Sequence, residues 1–236
     1  MATRSFQEEV AYRNRVLGKH LCVGLDPVRE RVIKAVGAKY PGMVTGRLAV
    51  FLREEVDRTH ESAAVYKLNF WFFFNRGSAG IQVLHDIIQH IHEYGILVIL
   101  DTKIGDIGAT CEQAAGAIFD QMGADATTAN PYMGQDAVQP LLDRADRGVI
   151  FICKTTNKGS GELQELPVTV PQEELLALTE SIPATIRERL EHTILLWEWV
   201  ALKVARKWNN NGNCGIVVGA TANPVDLRFA RRLVGS

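Results

Sequence analysis

Six short apolar runs recur along the chain, and each closes on polar residues. They cover residues 21–25 before Asp26-Pro27, 63–66 before Lys67-Leu68-Asn69, and 96–100 before Asp101-Thr102-Lys103. The others are a weaker run at 124–129 before Asn130-Pro131, 149–152 before Lys154-Thr155-Thr156-Asn157, and 215–218 before Gly219-Ala220-Thr221. Continuous apolar runs with β-branched residues suit strands covered on both faces, as in a parallel sheet.

Helical patterns fill the intervals. Residues 51–62 carry mixed charges, and 79–94 place Ile81, Leu84, Ile88 and Ile91 at spacings of three and four, one apolar stripe. Residues 111–122 are alanine-rich. Ser181-Ile182-Pro183 has the form of a helix start, with a cap and an early proline. From there Ile186, Leu190, Ile194, Trp197, Ala201, Val204 and Trp208 predict one long helix, broken by Asn209-Asn210-Asn211-Gly212-Asn213. Residues 159–171, with two prolines and several polar residues, read as a loop.

Alternation of strand and helix predicts an α/β fold with parallel strands. No repeat, low-complexity tract or linker divides the chain, so one domain over residues 1–236 is expected. An α/β barrel of this kind closes with eight strands, and six are visible in the sequence.

Composition narrows the function classes. At 236 residues with 47% hydrophobic positions the chain is a packed domain, and a net charge of −1 offers no bulk positive field for nucleic acid or a membrane surface. The N-terminus lacks a signal-peptide core, and the longest apolar stretch, 63–74, is interrupted by Lys67 and Asn69. The four scattered cysteines form no Cys-x-x-Cys pair and suit free thiols in reducing cytoplasm.

Chemistry-bearing residues gather where the apolar runs stop. In α/β barrels the strand ends form the active face. Asp26, Lys67, Asp101, Lys103 and Thr156 would all sit on that rim. The sharpest feature is Asp101-Thr102-Lys103-Ile104-Gly105-Asp106-Ile107 with Thr110. Residues two apart on a strand share a face, so Asp101 and Lys103 are expected side by side. Lys67 from the neighbouring strand makes an alternating array of Lys67, Asp101, Lys103 and Asp106. Such alternation holds both lysines charged in a dry pocket. A surface salt-bridge network is the plain alternative; placement after buried strands favours a site.

These residues, with Val23-Gly24-Leu25-Asp26, Tyr66-Lys67-Leu68-Asn69, Asn130-Pro131-Tyr132-Met133-Gly134, Thr155-Thr156-Asn157 and Val217-Val218-Gly219-Ala220-Thr221, resemble the orotidine 5′-phosphate decarboxylase family. The match is nearest its bacterial branch with Asn-Pro-Tyr-x-Gly and Val-Val-Gly-Ala-Thr motifs. It runs from about Leu21 to the C-terminus in family order. The resemblance implies a (β/α)8 TIM barrel, no cofactor and no metal, and a nucleotide monophosphate substrate. It implies that Lys103 protonates C6 of the pyrimidine, that Asp101 lies against the substrate carboxylate, and that Lys67 and Asp26 hold the ribose. Asp106, Ile107 and Thr110 would reach into a partner's site, making the working unit a homodimer. Thr156 stands where the family usually has a serine facing the pyrimidine.

The family's seventh strand leads into a Pro-Gly-x-Gly-x-Gln-Gly-Gly loop and its eighth supplies an arginine, and together they grip the phosphate; neither motif appears here. The expectation is a truncated form of a longer enzyme, weak or inactive until a partner or swapped segment completes it. Arg228, Arg231 and Arg232 read as a solvated helix face. So do His85, His90 and His92, which lack a metal-ligand pattern. Trp71-Phe72-Phe73-Phe74 reads as packing at a helix start or a dimer surface, and Gly159-Ser160-Gly161 as a flexible loop, which the resemblance implies caps the pyrimidine. Two other readings compete. One is a Mg²⁺-dependent keto-sugar-phosphate decarboxylase or hexulose-phosphate synthase, whose second strand ends in a carboxylate where Lys67 stands. The other is a non-catalytic dimerising module.

Overall fold

The computed structural model describes residues 4–28, 32, 44–219 and 224–234. Ala220 and Thr221 of the expected Val-Val-Gly-Ala-Thr motif lie outside them. The elements in order are α1 (Phe6–Arg15), β1 (Leu21–Gly24), α2 (Val44–Thr59), β2 (Ala63–Asn69), α3 (Phe70–Phe74), α4 (Gly77–Glu93), β3 (Leu97–Ile104), α5 (Gly108–Ala115), β4 (Ala126–Ala129), α6 (Gln135–Leu142) and β5 (Gly148–Lys154). Then come α7 (Gly161–Gln164), β6 (Pro167–Val168), α8 (Gln172–Thr179), α9 (Ala184–His192), β7 (Ile194–Leu195), α10 (Leu196–Lys203), β8 (Cys214–Val218) and α11 (Pro224–Val234). Among the described residues no helix is long and apolar enough to cross a membrane.

All six expected strands form, and they pair in parallel in the order β1-β2-β3-β4-β5-β8. This is the α/β arrangement of a barrel, with β1 and β8 at the two edges of an open sheet. Burial follows that order. Every residue of β4 is buried, whereas β1 is largely exposed and β8 half-buried along its length. Interior strands are covered on both faces, which is why they read as continuous apolar runs.

The helices pack their apolar stripes on the sheet. In α4, Leu84, Ile87, Ile88 and Ile91 are fully buried in the main core. His90 corrects the expectation of a solvated histidine face. It is buried, with Nε2 2.6 Å from Asp57 Oδ1 and Nδ1 3.0 Å from Glu93 Oε2, tying α4 to α2. His92 likewise pairs with Asp125 at 2.8 Å. Arg228, Arg231 and Arg232 face outward on α11, as expected.

The long stripe after Pro183 is not one helix. Thr193 adopts an extended conformation, and β7 pairs antiparallel with β6 before α10 begins. The period carries across the break because Ile186, Leu190, Ile194, Trp197 and Ala201 still share one core, the second cluster outside β5 and β8. Val204 and Trp208 join the main core instead. Helix α9 starts after Pro183 with no side-chain cap, so Ser181 does not play the capping role its position suggested. Residues 159–171 are also more ordered than a plain loop, since they contain α7 and β6.

Helix α1, absent from the apolar pattern, closes the far end of the sheet. Its Ser5–Glu8 capping box satisfies the first turn. Phe6 packs with Val65, Ile99 and Ala126. Gly148 is required there, because a Cβ would collide with the Phe6 ring.

Candidate active site

The parallel register brings the expected residues together at the carboxyl ends of β1, β2 and β3. Gly24 pairs with Lys67 and Asn69 with Asp101, so strand ends remote in sequence meet in space. Lys103 Nζ lies 2.7 and 2.8 Å from the two oxygens of Asp101. Lys67 Nζ lies 3.4 Å from Asp101 Oδ2 and 3.7 Å from Asp26 Oδ2. Asn69 Nδ2 donates to Asp101 Oδ2 at 3.3 Å, and the Asn69 amide donates to Asp26 Oδ1 at 3.3 Å. Thr128 Oγ1 donates to Asp101 Oδ1 at 2.6 Å.

Asp101 is therefore a buried carboxylate ringed by donors. Its side chain is 7% exposed, against 31% for Lys67 and 48% for Lys103. Burial pushes its pKa up, but the hydrogen bonds from Lys103 and Thr128 and the nearby charge of Lys67 outweigh that and hold the carboxyl below the usual aspartate range. The carboxylate stays ionised and aims two ammoniums toward the open mouth of the sheet.

The shared face of Asp101 and Lys103 has a different origin from simple strand alternation. Lys103 has φ +52°, the only non-glycine in the left-handed region among the described residues. That conformation costs roughly 1–2 kcal/mol for an L-residue. The β3–β4 register slips at the same place, between Leu100 and Ile104. Threonine hydroxyls replace the lost ladder bonds. Lys103 N donates to Thr128 Oγ1 at 2.9 Å, and Thr102 Oγ1 lies 3.1 Å from Thr128 O and 2.9 Å from Thr127 Oγ1.

At the end of β5 a second cluster forms. Lys154 is buried, with Nζ 2.6 Å from Asp226 Oδ2 in the first turn of α11 and 3.0 Å from Glu165 Oε1. Burial draws its pKa down, while hydrogen bonds to Asp226 and Glu165 draw it up more strongly, leaving it raised. Thr155 anchors the following loop, its amide donating to Gln164 Oε1 at 2.8 Å. Thr156 is exposed, and its methyl lies where a Cβ on Gly219 would fall. The bare glycine makes room for the methyl that distinguishes threonine from serine.

Residues 19–235 match the family described as "Orotidine 5'-phosphate decarboxylase / HUMPS family". The chain belongs to this family. It is 38% identical over 219 residues to the orotidine 5′-phosphate decarboxylase of Janthinobacterium sp. (strain Marseille), covering 91% of this chain and 69% of that one. The decarboxylase of Natronomonas pharaonis is 38% identical over 231 residues, covering 98% of this chain and 74% of that one. Among solved structures, Leishmania donovani OMP decarboxylase superposes with a TM-score of 0.77 at 34% identity, covering 98% of this chain and 77% of that chain.

Of the residues that the decarboxylase resemblance singled out, the structure brings Asp26, Lys67, Asp101 and Lys103 into one cluster. Asp106 is not the fourth member within a single chain. Asp26 takes that place, because Asp106 turns into its own loop and accepts from Ile107 N at 2.8 Å. Ile107 and Thr110 stand exposed beside it. Thr156 lies apart, on the β5 side. Phe73 in α3 is fully buried while Trp71 and Phe74 are more than half exposed, so the aromatic run is only partly packing. The residue reading missed the donors Asn69 and Thr128 and the Lys154 cluster. Asn69 and Lys154 end apolar runs, the same signal that exposed Asp101, whereas Thr128 lies within its strand and no such signal marks it.

Proposed function

We propose that this chain decarboxylates orotidine 5′-phosphate to uridine 5′-phosphate in pyrimidine biosynthesis. The observation that carries the reading is the bidentate Asp101–Lys103 pair, one partner buried and the other open to the mouth of the sheet. The C6–carboxylate bond breaks, carbon dioxide leaves, and the electron pair stays on C6, where the ring cannot delocalise it by ordinary resonance. The Lys103 ammonium stabilises that charge and then delivers its proton to C6. The neutral amine regains a proton from solvent. In this reading the ammonium supplies both charge and proton, and no metal or organic cofactor is needed. Asp101 lies against the substrate carboxylate and holds Lys103. Lys67 and Asp26 bind the ribose hydroxyls, and Thr156 faces the pyrimidine.

The working unit in this proposal is a single domain that forms a homodimer with shared sites, each chain lending Asp106, Ile107 and Thr110 to the other. Ile107, Tyr132 and Met133 support it, being large apolar side chains exposed 59%, 84% and 51% on the loops after β3 and β4. The four cysteines, all unpaired, suit a reducing cytoplasm. A Mg²⁺-dependent keto-sugar-phosphate enzyme is disfavoured by Lys67, whose ammonium stands beside Asp101 where that chemistry has a carboxylate.

The test is loss of orotidylate absorbance with the native chain and with Lys103→Ala. Turnover that survives in Lys103→Ala, or that a chelator abolishes, overturns the reading. Mixing Lys103→Ala with Asp106→Ala chains restores part of the activity if sites are shared. A chain extended by two strand–helix units, giving β1 and β8 neighbours, is expected to turn over faster, because closure removes two exposed edges and adds loops at the rim.

A further inference from the structure

We propose that Thr128 is the positioning residue for the Lys103 ammonium: its single hydroxyl closes the left-handed turn of β3 at Lys103 and aims the Asp101 carboxylate at that ammonium. The inference rests on the proposed role of Lys103 and deepens it.

The argument begins with hydrogen-bond accounting. A threonine hydroxyl has one proton to give and lone pairs to accept with. Here Oγ1 accepts from Lys103 N at 2.9 Å, so its proton is left for Asp101 Oδ1 at 2.6 Å. Both bonds end on the same short stretch of β3. The backbone amide of Lys103 has lost its ladder partner where the β3–β4 register slips, and Thr128 Oγ1 takes the place of that carbonyl. Thr128 is itself 3% exposed, on a strand buried at every position, so the hydroxyl cannot drift with solvent. Lys103, in contrast, is half exposed and unbranched; its backbone twist and its carboxylate partner set where Nζ points. One hydroxyl governs both.

The neighbouring Thr127 shows the contrast. Its hydroxyl donates to Leu100 O at 2.8 Å and touches neither Asp101 nor Lys103. It supports the strand without addressing the site.

The experiment compares Thr128→Val with Thr128→Ser in the full chain, by orotidylate turnover and by carbon-13 NMR titration of the Asp101 carboxyl. Thr128→Val is expected to lower kcat about a hundredfold with little change in KM, since misplacing a reacting group by about an ångström has that effect. It should also move the Asp101 titration upward, because a donor to the charged form is gone. Thr128→Ser, which keeps the hydroxyl, is expected to restore both. Equal behaviour of Val and Ser variants, or a Val variant unchanged in both readouts, overturns the proposal. Should Thr128→Val fail to fold, Thr128→Ala takes its place in both measurements and is compared with Thr128→Ser in the same way. If neither the native nor the extended chain shows turnover, the functional reading fails by itself, and the titration alone decides the role of Thr128.

Discussion

Two lysine–carboxylate clusters stand at the carboxyl ends of one sheet, and each is the other turned inside out. Between β2 and β3 a buried carboxylate, Asp101, holds two ammoniums that face the opening. At β5 a buried ammonium, Lys154, is held by Asp226 and Glu165, which are 22% and 52% exposed. In both, the buried partner is fixed by its surroundings and the exposed partner meets whatever arrives. The first cluster therefore offers positive charge to an anionic ligand. The second offers none, and joins β5, the loop after it and α11. The same residue types make a reactive site or a structural tie according to which member is buried.

The comparison breaks first at Lys103. Lys103→Ala should reduce decarboxylation by about 10²- to 10⁴-fold, the usual range for a positioned proton donor. Its melting temperature should fall only modestly, because the buried Asp101 carboxylate keeps Lys67, Asn69 and Thr128 as partners. A large loss of stability, measured by circular dichroism, would make the first cluster structural too.

Lys154→Met should do the reverse. It strands two carboxylates that remain partly solvated, costing roughly 2–3 kcal/mol of stability in urea titration. Turnover per folded molecule should stay within a factor of about three. A selective fall in kcat would erase the distinction between the clusters.

Beside the second cluster stands Gly219, whose amide donates to Lys154 O at 2.8 Å and whose missing side chain admits the Thr156 methyl. Gly219→Ala should cost roughly 1–2 kcal/mol by overpacking and weaken substrate binding. Adding Thr156→Ser should recover most of that loss, and a double variant no better than the single would show that the methyl is not the obstacle.

The smallest effect is in pH. Asp101 titrates below the ordinary aspartate value, so its contribution to stability is complete above about pH 4 and is lost as pH falls through the folded value. Lys154 titrates above the ordinary lysine value, so its contribution is complete below about pH 10 and is lost as pH rises through the folded value. Denaturation midpoints of Asp101→Asn should therefore converge with the native chain in acid, and those of Lys154→Met in alkali. Convergence at the wrong end would show that burial outweighs the ion pairs in that cluster.

Much of the first cluster was legible in the sequence, because Asp26, Lys67 and Asp101 each end an apolar run, and parallel strands bring such ends to one rim. Asp106 was not legible within one chain, since its glycine-flanked loop follows the strand and no apolar periodicity aims it. The second cluster was hidden for another reason. Lys154, Glu165 and Asp226 come from separate segments, and a lysine after an apolar run reads equally as exposed or sealed until α11 covers it.

Local pattern determined the six strands, the parallel α/β order and the polar rim, because apolar runs need cover on both faces and polar residues escape at their ends. Only the tertiary structure decided the left-handed turn at Lys103, the break of the long stripe at Thr193, and the burial of His90 and Lys154. Each depends on a partner distant in the chain: Thr128 for Lys103, β6 for the segment after Thr193, Asp57 for His90 and Asp226 for Lys154. Periodicity along a segment carries no information about what will stand across from it.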